Sequence, residues 1–185
     1  MRLLDRLRRN SATVTPEIAA GELFAYSRVD MEEEILPESG YKCRPSVNAN
    51  YKFTKAAIII QWLRILGRDP SARIRAKEIL DEFERLTFSP FQPKEISWLV
   101  EQFRKQMGLT NSISSFMGDK TISDDEIARK GLEISEGWFK LALDDQSLVV
   151  RASIMHGAQL IHVLYEEMRR IGEMVGSAVF ERGRG

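Results

Sequence analysis

The chain has 185 residues, with 27 Lys+Arg against 27 Asp+Glu, and 43% of it is hydrophobic. That length suits one domain, and the charge balance argues against a generally basic nucleic-acid binder while leaving room for local basic patches. The one cysteine, Cys43, can form no internal disulfide, so a reducing compartment is expected, with the cytoplasm as the default.

Residues 1–14 read as an N-terminal arm, with Leu3, Leu4 and Leu7 on one side and Arg2, Arg6, Arg8 and Arg9 around them. No apolar stretch follows, so the arm is not read as a secretory signal. The longest apolar run, Ala56 to Ile60, stops at Gln61. It is far short of the roughly 20 residues of a membrane span, and none is expected.

Thr15, Pro16 and Glu17 are a helix start: a capping hydroxyl, then proline at the first helical position. This helix should reach about Tyr26. Residues 27–47 read as a long irregular loop holding Glu32, Glu33 and Glu34, then Pro37, Gly40 and Pro45, with a short extended piece around Ile35. A helix from Asn48 or Tyr51 to Leu66 follows, buried because Ala56 to Leu66 is apolar on nearly every side and closed by Gly67. Asp69 and Pro70 start the next helix, with Ile74, Leu80, Phe83 and Leu86 as its apolar face.

Pro93 opens a helix with Ile96, Leu99, Val100, Phe103 and Met107 at helical spacing, and Gly108 is expected to end it. Residues 109–122 then read as a polar loop. Ser123 and Glu126 have capping-box spacing and begin a helix carrying Ile127, Ile134, Trp138 and Leu141. Its glycines, Gly131 and Gly137, would admit a close neighbour. The tryptophans Trp62, Trp98 and Trp138 all fall inside predicted helices and are expected to pack in the core.

The dominant feature is a C-terminal helix from about Leu148 to Phe180. Ile154, Ala158, Ile161, Tyr165, Met168, Gly172, Val175 and Val179 follow a heptad-like spacing. Leu160, Leu164, Ile171 and Ala178 form a second band beside them. An apolar arc this wide suits a helix packed on two sides, against its own domain and against a second copy. Gly172 and Gly176 would let that second helix approach. The fold class is therefore all-α, a single-domain bundle of about five to six helices over residues 1–185.

Chemistry is sparse. His156 and His162 point apart on one helix and cannot share a metal unaided. His162 with Glu166 has the spacing of a weak metal or acid–base pair, though a solvated ion-pair ladder along His162, Glu166, Arg169 and Glu173 explains it as well. Cys43 between Lys42 and Arg44 lacks a neighbouring base. Arg68, Arg73, Arg75 and Lys77 crowd a helix start against the macrodipole preference, which suits an anion or a nucleic-acid backbone. No phosphate loop, nucleophile elbow or paired metal-ligand motif is present, so no cofactor is expected. The reading is a non-enzymatic, cytoplasmic interaction protein, a scaffold, adaptor or regulator, that forms a homodimer through its last helix. It is weighed against a nucleic-acid-binding regulator and a small-ligand- or metal-binding helical enzyme.

Overall fold

A computed structural model describes residues 14–31, 43–118 and 123–180. The basic arm, the acidic run Glu32 to Glu34 and the extended piece around Ile35 lie outside those residues. Among the described residues there are six helices and no strand: α1 Pro16–Ser27, α2 Pro45–Leu66, α3 Arg73–Phe88, α4 Pro93–Gly118, α5 Asp124–Lys140 and α6 Gln146–Phe180. The all-α bundle with a long last helix is as expected.

Helix α1 starts as its sequence dictates. The Thr15 hydroxyl accepts from the Ile18 amide at 3.4 Å, with Pro16 behind it. Helix α2 begins earlier than expected, at Pro45, because proline is pre-organised for the first helical turn. It is the central element and packs on α1, α3, α4 and α6. Ala56, Ala57, Ile58, Ile59, Ile60 and Leu63 are all buried, so the run that is apolar on every side meets neighbours on every side.

Helix α3 begins at Arg73 rather than at Pro70; residues 67–72 form a turn in which Asp69 accepts from Ser71. Its buried face is Ala76, Ile79 and Phe83, whereas Ile74, expected inside, is 75% exposed. The small Ala76 helps set that face, and an alanine carries little weight in a pattern of large apolar residues.

Helix α4 does not stop at Gly108. It continues to Gly118, so most of the expected loop at 109–122 is helical. Its inward stripe is Leu99, Phe103, Gln106, Thr110 and Ile113, at helical spacing. Gly108 reads as a stop, and the polar Gln106 and Thr110 on either side of it hide the continuation of the apolar stripe. Both are satisfied in the interior. Gln106 Nε2 donates to Asn50 Oδ1 at 2.6 Å, and the Thr110 hydroxyl donates to Gln61 Oε1 at 3.0 Å. The same network reaches α5, where Trp138 Nε1 donates to Thr54 Oγ1 at 2.9 Å and Asn50 Nδ2 donates to the Trp138 carbonyl at 3.2 Å.

The apolar interior falls into two clusters. One joins α1, α2, α3 and the second half of α6; the other joins Tyr51, the end of α4, α5 and the first half of α6. Helix α6 runs through both. By length and hydropathy alone it meets the minimum for a membrane-crossing helix, a test that the core helix of a bundle also passes, and 33% of its most apolar window is buried.

Candidate functional site

The start of α6 is fixed by Asp145. Its Oδ1 accepts from the Ser147 amide at 2.8 Å, from the Ser147 hydroxyl at 2.7 Å and from the Leu148 amide at 3.4 Å. The Ser147 side chain, followed by these backbone bonds, holds the carboxyl below its usual range. From there Val149, Ser153, Gly157 and Leu160 turn inward. At Gly157 a side chain would meet Ser135 Oγ at 2.6 Å, so α5 and α6 cross closely there. This crossing fixes the helix's rotation and sends the opposite face outward: Val150 is 37% exposed, Ile154 69% and Met155 62%, with Ala158 also exposed. Gln146, Ser147 and Arg151 complete a shallow depression around them.

The heptad-like residues therefore divide. Ile161, Val175 and Val179 are buried in the chain's own core, and Tyr165, Met168 and Gly172 are half-buried. Gly172 is small for an internal reason. A Cβ there would come within 2.8 Å of the Trp62 ring, and Trp62 Nε1 donates to the Met168 carbonyl at 3.1 Å. The close approach expected of a second helix at this glycine is made by α2. Ile154 and Ala158 are the members left facing solvent. Gly137 likewise admits Leu109, whose Cδ2 would lie 2.9 Å from an added Cβ.

The arginine cluster also divides. Arg68, Arg73 and Lys77 are exposed, but Arg75 donates through Nε to the Ala178 carbonyl and through its terminal nitrogen to the Val14 carbonyl, both at 2.7 Å. It caps α6, whose own last turn has no basic residue, and ties the start of the described chain to it. Arg75 is thus already committed and is removed from the anion-binding set.

On α6, Arg169 bridges Glu166 at 3.1 Å and Glu173 at 2.6 Å, while His162 stands exposed. Among the described residues no three His, Cys, Asp or Glu converge as a metal site.

Sequence reasoning missed a pair of buried charges. Lys55 is fully buried; its Nζ donates to the Val29 carbonyl at 3.1 Å and lies 4.8 and 4.9 Å from the ring centres of Tyr26 and Tyr51. Glu167 is also buried. It accepts from the Tyr26 hydroxyl at 2.7 Å and pairs with Arg170 at 3.2 Å. Buried ions persist only with such partners. The available signal was position: Lys55 directly precedes an uninterrupted apolar run and cannot escape it. Trp98 was also misplaced, being 58% exposed rather than in the core.

Comparison with known proteins returns no matching family, no matching curated protein and no matching solved structure.

Proposed function

We propose that the chain is a non-enzymatic helical interaction protein whose copies associate through the first turns of α6. The observation that supports this reading is the outward face of Val150, Ile154, Met155 and Ala158 on a helix otherwise packed in the core. A solvated α-helix end carries polar residues outward, and clustered large apolar ones favour a partner.

The occupant we favour is a second copy. In an antiparallel two-fold pairing centred on Ile154, Ile154 meets its own symmetry mate and Val150 faces Ala158, large against small. Gln146 then faces His162, so polar residues close both ends. Such self-complementarity is what an isologous interface requires. The face spans residues 146–158, about 20 Å of helix at 1.5 Å per residue. That is short for a standard interface, and a dissociation constant on the order of micromolar is expected.

Sedimentation equilibrium over a range of concentrations tests the proposal. The wild type should reach dimer mass on the order of 100 μM, Ile154→Glu should stay monomeric, and Ile18→Glu, at another exposed isoleucine, should dimerise like the wild type. A monomeric wild type overturns the reading. So does a monomer that floats with phosphatidylcholine vesicles, which would make the face a lipid-binding surface. The nucleic-acid alternative keeps Arg68, Arg73 and Lys77 but loses Arg75, which weakens it.

A further inference from the structure

A cleft of about 560 Å³ lies where the end of α1, the start of α2 and the α3–α4 turn meet α4, with no residue of α6 in its lining. Phe24, Phe53, Phe91, Trp98 and Phe103 line it, and its size is in the range that holds a small organic molecule. Phe53 and Phe103 stack edge to face with centres 5.5 Å apart, which gives the floor a fixed shape. Trp98 stands on the rim, 58% exposed, where a large aromatic ring gains little from folding.

The polar groups are few and specific. Lys52 and Asp30 pair at 2.7 Å on the wall. Arg28 also lines the cleft, with its guanidinium 5.9 Å from the Phe24 ring centre and no carboxylate partner among the described residues. The charged lining is thus two cations against one carboxylate. Thr87 also lines the cleft, and its buried hydroxyl oxygen makes no hydrogen bond among the described residues. An orphan hydroxyl of this kind is uncommon, and a ligand oxygen would satisfy it.

The turn that carries Arg28 is held from three sides. Lys55 Nζ binds the Val29 carbonyl at 3.1 Å, Lys52 pairs with Asp30, and the Met31 amide donates to Asn48 Oδ1 at 3.1 Å. The buried lysine therefore has a consequence for the cleft: it helps fix the backbone turn that carries Arg28. An arginine on a held backbone leaves only its own side chain to order when an anion arrives.

We infer that this cleft binds a small aromatic carboxylic acid, with the ring among Phe24, Phe53 and Trp98 and the carboxylate on Arg28. The guanidinium fork matches a carboxylate in two parallel hydrogen bonds, and the aromatic walls match a flat apolar body. The inference uses residues separate from the exposed face of α6 and stands or falls independently of self-association.

Isothermal titration of the full chain with 2-naphthoate and with the neutral 2-naphthalenemethanol tests it. The acid should bind saturably and about tenfold more tightly than the alcohol. Arg28→Gln should remove that preference and leave the alcohol's affinity unchanged. Trp98→Ala, at an exposed position that folding does not need, should weaken both probes several-fold. Equal affinity for acid and alcohol in the wild type overturns the inference. A preference that survives Arg28→Gln, or no saturable binding of either probe up to about 1 mM, overturns it as well.

Discussion

From Leu160 to Val179 helix α6 buries Leu160, Ile161, Leu164, Ile171, Met174, Val175, Ala178 and Val179, whereas from Gln146 to Ala158 it leaves Val150, Ile154, Met155 and Ala158 in solvent. Both stretches have the same helical spacing of apolar residues. What separates them is which faces the neighbours cover. The second half packs with α1, α2 and α3, while the first half packs with α5, the end of α4 and Tyr51 of α2 on its inner face, and its outer face stays in solvent. A hydrophobic face therefore states that something should cover it, and only the packing of the other elements tells what does.

That contrast can be broken by substitution, and the largest effect belongs to the buried half. Ile171 is fully buried, so Ile171→Ala should cost about 2–5 kcal/mol through lost burial and the cavity left behind. Ile154→Ala should change the monomer's stability by less than about 0.5 kcal/mol, as at other exposed positions. Urea unfolding of dilute protein measures both, and similar losses would erase the distinction.

The two glycines of α6 sharpen the same point. Gly172→Ala should destabilise by about 1–3 kcal/mol, because its new Cβ would press on a Trp62 ring that the Met168 carbonyl holds in place. Gly176 has nothing within 4 Å of an added Cβ, so Gly176→Ala should stabilise, by up to about 1 kcal/mol, through helix propensity alone. Opposite signs in thermal melts are the expected result.

The end of the buried half depends on Arg75. Arg75→Met keeps the stem but drops the bonds to the Ala178 and Val14 carbonyls, and should cost about 1–2 kcal/mol. Hydrogen exchange should quicken at the last turn of α6 and not at its start.

The smallest effect concerns Asp145, at the exposed end. Its carboxyl is held low by the Ser147 hydroxyl and the backbone amides that cap the helix. A depressed carboxyl contributes stability above its unfolded pKa and loses it as pH falls through the folded value. The wild type should therefore lose slightly more stability than Asp145→Asn on acidification below about pH 4. Thermal melts of the two proteins from neutral to acid pH measure it.

Much of this architecture was legible in the sequence. Thr15 and Pro16 marked the start of α1, and α6 was placed to within two residues, because caps, prolines and a long apolar period act locally. What was hidden depends on tertiary partners. Gly108, flanked by the polar Gln106 and Thr110, ends a pattern on paper, but α4 continues in space, since Asn50 and Gln61 satisfy the two polar side chains. Ile74 lies outside its helix's buried face because that face is set by Ala76, Ile79 and Phe83. The candidate sites were less legible still. Arg75 looked like part of an anion site until the carbonyls it binds were placed beside it. Trp98 looked like core until the cleft beneath it was seen.

Disulfide trapping across the proposed two-fold axis tests self-association most directly. In a Cys43→Ser background, Ile154→Cys places a single thiol where the two copies of α6 should meet. Oxidation at micromolar protein should convert most of this variant to a covalent dimer, while Ile18→Cys in the same background, exposed at 52% for the native isoleucine, should remain monomeric. Equal and slow cross-linking of the two variants would contradict the account.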